Sequence, residues 1–286
     1  MSEEGIGRMA NHLIFIVMDS CRYDSYARAR RPNMDRLGQA ELRYSFASWT
    51  SPSHYTFLMG QTPHTSPRGV FASEVYKKEF AKWVGRLGVP NLSFKTFVPQ
   101  LSLPKVLKDL GYGTAARVSM PVLNAFAGLN RSFDDYKLME NHNDFAGMVR
   151  DINIASSAPR FYFLNLGETH YPYMLKDADL PKIHGVHGVV KGMDDALART
   201  ADTPSETSEF FSKEMMQSLH AQQVRCVEYV DGLLGELFAK CPPNTYFIVT
   251  ADHGELFGEG DYFGHGPVMH EKCFEVPYLE GLRPDL

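Results

Sequence analysis

Three apolar runs in this chain each end abruptly in side chains able to hold a metal ion, and few folds accommodate that pattern. Residues 12–19, HLIFIVMD, stop at Asp19; residues 160–166, RFYFLNL, lead into Gly167-Glu168-Thr169-His170; residues 245–250, TYFIVT, lead into Ala251-Asp252-His253-Gly254. Runs of strand length without polar alternation suit strands buried on both faces, which occur in parallel sheets covered by helices. The spacing of Phe211, Met215, Leu219, Val227, Val230, Leu233, Leu234 and Leu237 predicts helix within Ser208 to Lys240. Strands alternating with helices predict an α/β fold, a doubly wound, mostly parallel sheet with helices on both faces and a site at the carboxyl ends of the strands.

Residues 171–207 contain Pro172, Pro181, Gly185, Gly188, Gly192 and Pro204 with little periodicity, and are expected to form a loop insertion over that site. There is no internal repeat and no sign of a second domain, so residues 1–286 are read as a single domain.

Each ligand candidate has an ordinary explanation when taken singly. An Asp at a strand end commonly caps a turn, and a buried His commonly hydrogen-bonds within a core. Their joint placement carries the argument, because Asp19, Glu168, His170, Asp252, His253 and His265 all follow strands expected to be neighbours in one sheet. Mixed carboxylate and imidazole donors suit Zn²⁺, with Mn²⁺ as the alternative, better than Ca²⁺, which prefers oxygen alone.

These residues also fall into motifs. Asp19-Ser20-Cys21-Arg22-Tyr23-Asp24 resembles the D-x-x-R-x-D of the alkaline phosphatase superfamily, and Pro32-Asn33-Met34-Asp35-Arg36-Leu37 resembles the P-N-x-D-R-L that follows it. Thr50-Ser51-Pro52-Ser53-His54, continuing through Leu58-Met59-Gly60, resembles the nucleophile motif that reads C-x-P-S-R in sulfatases. The run DHGELFGEG from Asp252 to Gly260, with Gly264-His265-Gly266, resembles the D-H-G-E-x-x-G-E-x-G and G-H-G of sulfatases and phosphoethanolamine transferases. The motifs keep the family order, and the likeness covers nearly the whole chain, from residue 13 to residue 279.

The resemblance implies a divalent metal held by Asp19, the Thr50 oxygen, Asp252 and His253, with Thr50 as nucleophile. His170 and His265 are then catalytic, either binding a second ion, with Glu168 as a weaker candidate beside them, or gripping the transferring group. An alcohol of high pKa needs such a cation to become an effective nucleophile. Arg22 and Asp24 are expected to pair and shape the Asp19 turn, and Glu255 and Glu259 to orient other groups. His54 stands where sulfatases have Arg, either orienting Thr50 and the substrate or lying on a helix surface. Tyr171 and Tyr173 form a wall of the substrate pocket or pack under a loop.

The chain also departs from that pattern. Thr50 carries a β-methyl group and cannot become the formylglycine of sulfatases, Ser20 replaces a second Asp, and the chain reaches Leu286 soon after CFEVPYLEGL without the C-terminal subdomain usual in sulfatases. The membrane helices of phosphoethanolamine transferases are not seen. Metal-dependent hydrolysis or transfer of phosphoric mono- or diesters through a covalent phospho-Thr50 is therefore expected. The alternatives are a sulfatase-like enzyme of specialised metabolism and a non-catalytic binding protein that keeps the fold.

A net charge of -5 and a pI near 6.1 give no general attraction for nucleic acid or an anionic membrane, which leaves a small-molecule ester as substrate. The N-terminus, MSEEGIGRMANH, lacks an apolar leader, so a cytoplasmic location is expected; a homo-oligomer is left open. The four cysteines are scattered, as reduced buried thiols would be.

Overall fold

In a computed structural model describing residues 10–65, 72–90, 92, 102–154, 158–173, 190–191, 212–266 and 268–286, the three apolar runs form the centre of a seven-stranded sheet. Its members are β1 (His12–Met18), β2 (Glu41–Tyr44), β3 (Gly113–Val118), β4 (Asp135–Leu138), β5 (Arg160–Leu166), β7 (Thr245–Ala251) and β10 (Glu275–Leu282), in the order β2-β10-β7-β1-β5-β3-β4. Only β10 runs against its neighbours, so the sheet is mostly parallel as expected. A small antiparallel sheet joins β6 (Val190–Lys191), β9 (Tyr262–Gly264) and β8 (Leu256–Phe257).

Burial on both faces is why the central strands are continuously apolar. Leu13, Phe15 and Val17 of β1 enter one core, with Phe57, Trp83, Leu103 and Val106; Ile14, Ile16 and Met18 enter another, with Tyr26, Met34, Phe145 and Val227. The first layer is built by α3 (Thr50–Leu58), α4 (Ala72–Leu87) and α5 (Leu103–Asp109). The second is built by α1 (Tyr23–Arg28), α2 (Pro32–Leu37), α6 (Phe145–Asp151) and α7 (Lys213–Lys240).

The expected helix within Ser208–Lys240 is α7, capped by Ser212, whose Oγ accepts the Met215 N–H at 3.1 Å. Residues 208–211 lie outside the described residues, as does the expected insertion at 171–207 apart from 171–173 and 190–191. Among the described residues no helix is long and apolar enough to cross a membrane. All four cysteines are free and buried, as anticipated.

At one sheet edge Arg86 of α4 is buried between Glu79 at 2.7 Å and Glu280 at 2.6 Å, and donates to the Tyr278 hydroxyl at 2.8 Å. Arg86→Met leaves two carboxylates there without their cation. Chemical denaturation is expected to record a loss of about 3–5 kcal/mol.

Candidate active site

Adjacent strands deliver the two Asp side chains. Met18 of β1 pairs with Ala251 of β7, so Asp19 and Asp252 emerge side by side past the carboxyl edge of the sheet. Ser20, with φ 60°, turns its N–H onto Asp252 Oδ1 at 3.1 Å, and the His253 N–H donates to the same oxygen at 3.0 Å. A Cβ at position 254 would lie 1.9 Å from the Lys272 carbonyl oxygen, which explains the glycine after His253. Thr50 opens α3, and its hydroxyl lies 3.3 Å from His253 Nε2. That nitrogen is 3.3 Å from Asp252 Oδ2 and 3.8 Å from Asp19 Oδ1. Asp19, Thr50, Asp252 and His253 therefore converge from three separate parts of the chain.

Both carboxylates are fully buried. Burial, reinforced by the charge of Asp19, pushes the Asp252 carboxyl well above the ordinary range. Burial acts on Asp19 in the same sense, but His170, His253 and His54 together hold it below its usual value. Burial, and next His265, keep the His253 imidazole neutral by lowering its pKa well below the ordinary value. Its Nδ1–H donates to the Gly254 carbonyl at 2.9 Å, which leaves the Nε2 lone pair facing Asp252 Oδ2. Asp252 Oδ2 accepts no hydrogen bond among the described residues. When Asp252 is ionised, two lone pairs face each other across 3.3 Å in a buried site, a repulsion that a cation between them relieves. Two carboxylates, an imidazole and a hydroxyl fit a divalent ion such as Zn²⁺ or Mn²⁺.

The other two histidines are alongside. The His265 ring is 4.3 Å from His253 and 5.0 Å from His170, centroid to centroid. His170 Nδ1 donates to the Tyr171 carbonyl at 2.6 Å, and His265 Nδ1 to Glu255 Oε1 at 3.2 Å, which leaves Nε2 of each as the nitrogen with its lone pair. Glu255 is itself bonded by the Tyr173 hydroxyl, and Arg22 joins Asp24 at 2.6 Å and Glu259 at 2.6 Å. The expected supporting parts for Arg22, Asp24, Glu255 and Glu259 agree with these contacts.

A family model described as Sulfatase matches residues 11–280. The chain belongs to the sulfatase family. Solved structures of similar fold include the C-terminal periplasmic domain of EptC from Escherichia coli in complex with Zn, which is 12% identical over 97% of this chain and 74% of that chain with a TM-score of 0.59. The C-terminal periplasmic domain of phosphoethanolamine transferase EptC from Campylobacter jejuni is 15% identical over 96% and 79%, with a TM-score of 0.55. A 2-O GAG sulfatase is 13% identical over 95% and 64%, with a TM-score of 0.56. No curated protein sequence matches this chain. The sulfatase family model and these folds agree on an alkaline phosphatase-like α/β core.

Within this sulfatase-family site, the structure bears on three further sequence expectations. Glu168 Oε1 accepts the Phe145 N–H at 2.7 Å, at the first turn of α6, while its Oε2 is buried and accepts no hydrogen bond among the described residues. Tyr173 is fully buried against Phe257, bonded to Glu255, and cannot line an open pocket; Tyr171 packs on it and on Phe263 at 5.3 Å. His54 is buried, not on a helix surface, with Nδ1 3.6 Å from Asp252 Oδ2.

Burial lifts the Glu168 carboxyl to about 7. The unfolded chain releases this proton near the ordinary value and the folded protein only near 7. Stability is therefore lost as pH rises from about 4.5 to 7 and stays lost above it. Glu168→Gln keeps the acceptor for Phe145 and removes the charge. In EDTA the variant is expected to melt higher than the parent at pH 8, by roughly 1–2 kcal/mol of stability, with the difference vanishing at pH 4; equal slopes would rule the charge out.

Two residues escaped the sequence reading. Gln223 of α7 donates to the Ser20 and Thr169 carbonyls at 2.9 and 3.0 Å, pinning two site loops together. Asn165 lies inside β5 and reaches Asp19 Oδ2 at 2.9 Å. Both are polar residues at fully buried positions of apolar elements, and such residues need partners.

Proposed function

We propose that this protein hydrolyses or transfers phosphoric mono- or diesters of small molecules, with Thr50 as nucleophile and a covalent phospho-threonine between the two half-reactions. The observation that carries this reading is the Thr50 hydroxyl 3.3 Å from His253 Nε2, beside a buried carboxylate oxygen of Asp252 that has no hydrogen bond. Asp19, Asp252, His253 and the Thr50 oxygen are the groups that would hold a divalent cation. When bound, such an ion lowers the pKa of the hydroxyl and offsets charge on the transferring group.

Thr50 Oγ gives its proton to a neighbouring imidazole and forms the bond to phosphorus as the ester oxygen departs. The start of α3 adds its positive dipole end to the same space. His170 and His265, whose rings stand beside His253, would serve the leaving side, where an imidazole passes a proton to the departing oxygen and takes one back from the incoming water or alcohol. That second attack breaks the Thr50–phosphorus bond, and the proton taken from the water or alcohol passes to Thr50 Oγ and restores the hydroxyl.

Purified protein loaded with Zn²⁺ or Mn²⁺ is tested on nitrophenyl phosphate, bis(nitrophenyl) phosphate and nitrophenyl sulfate. Turnover of a phosphate ester is expected. Turnover of the sulfate alone would replace this reading with a sulfatase, and none with any metal would favour the binding protein.

A further inference from the structure

The Asn165 side chain is fully buried and uses every hydrogen-bonding group it has. Its Oδ1 accepts the N–H groups of Ser119 and Met120, both at 3.1 Å, and these two backbone donors settle which end of the amide is oxygen. The opposite nitrogen then places one N–H on Asp19 Oδ2 at 2.9 Å and the other on His54 Nε2 at 3.2 Å. His54 lies one helical turn beyond Thr50, and its Nδ1 is 2.8 Å from the Thr50 carbonyl. A carbonyl can only accept, so Nδ1 carries the proton and Nε2 offers its lone pair to Asn165. Oxygen or nitrogen atoms of Asp19, His54 and Asp252 lie within 4.8 Å of one another, as metal ligands would. Both nitrogens of His54 are nevertheless already engaged, which makes it a brace beside the cation site and not a ligand.

We infer that Asn165 is a positioning residue: one amide ties the Asp19 carboxylate to the His54 imidazole, and through it to the Thr50 carbonyl, holding metal ligand and nucleophile in mutual register. Its anchor is a central strand, while α3 otherwise meets the sheet through apolar packing such as His54 and Phe57 around Phe163 and Phe15. A displacement of about 1 Å between reacting groups costs about 100-fold in rate, so such a tie matters to turnover more than to folding.

The activity arm of the test rests on Thr50 as nucleophile; the other arms do not. Asn165→Asp keeps the acceptor for Ser119 and Met120 and removes both donors. Its kcat is expected to fall about 100-fold with KM within about threefold. Zn²⁺ affinity, from competition with a chromophoric chelator, is expected to fall at least about tenfold, since the new carboxylate repels Asp19. In ¹⁵N-histidine spectra, with His54→Ala identifying the signal, native His54 is expected as the neutral Nδ1–H form and N165D as a form protonated at Nε2. A native His54 protonated at Nε2, or unchanged kcat and Zn²⁺ affinity in N165D, would overturn the inference. Should the native protein turn over none of the three esters, the functional reading fails while the spectra and the Zn²⁺ titration still decide this one, and the native spectrum does so even if N165D does not fold.

Discussion

Thr50→Ala is expected to abolish ester turnover, lowering kcat by about 10³-fold or more, because the hydroxyl that forms the bond to phosphorus is removed. Thr50 is the first residue of α3 and its side chain caps nothing, so alanine leaves the helix intact and the melting profile serves as the folding control. Thr50→Ser keeps a hydroxyl and is expected to retain part of the rate. Mass spectrometry of the native enzyme quenched during turnover should find phosphate on the peptide holding Thr50, and none in the alanine variant. Undiminished activity in Thr50→Ala would end the nucleophile assignment.

Asp252→Asn is expected to move stability in opposite directions with and without metal. In the metal-free protein Asp19 and Asp252 are both fully buried, and burial together with Asp19 raises the Asp252 carboxyl well above the usual range. Asparagine keeps Oδ1 as acceptor for the Ser20 and His253 N–H groups and removes the charge from the unbonded oxygen. In EDTA the variant should therefore melt above the parent. At a Zn²⁺ concentration 1,000 times its Kd, the parent gains about 4 kcal/mol; a variant bound 100-fold more weakly gains only about 1–2 kcal/mol. Calorimetry with and without Zn²⁺ measures both, and an unaltered gain in the variant would remove Asp252 from the ligand set.

Central strands were the most legible part of this fold. HLIFIVM and RFYFLNL coincide with β1 and β5, and TYFIVT with all but the last residue of β7, because burial on both faces leaves an unbroken apolar signature. The edge strands carry no such mark: DYKL in β4 is largely exposed and ELRY in β2 half so, and their pairing is decided by neighbours distant in the chain. Among the candidate site residues, Asp19, His170, Asp252 and His253 were legible because each follows a central strand, and Thr50 because it opens a helix; His265, expected after a strand of the same sheet, instead follows β9 of the small sheet, since its position is set by the loop after β7. Glu168 also follows a central strand yet turns to α6, since a loop beyond a strand end does not preserve the alternation of faces. Asn165 lies within the RFYFLNL run, where a lone amide in an apolar stretch is the available signal, and its two partners come from sequence more than 100 residues away.

The alternation of β1 between two cores also bears on how the site comes into being. Thr50 and His54 arrive with the helices of one layer, Gln223 and the Arg22 turn with those of the other, and Asp19 stands at the seam. The groups proposed to hold the cation come from the strand ends and from α3, with the other layer bracing them, so a weakened layer is expected to register first as a lost affinity for Zn²⁺.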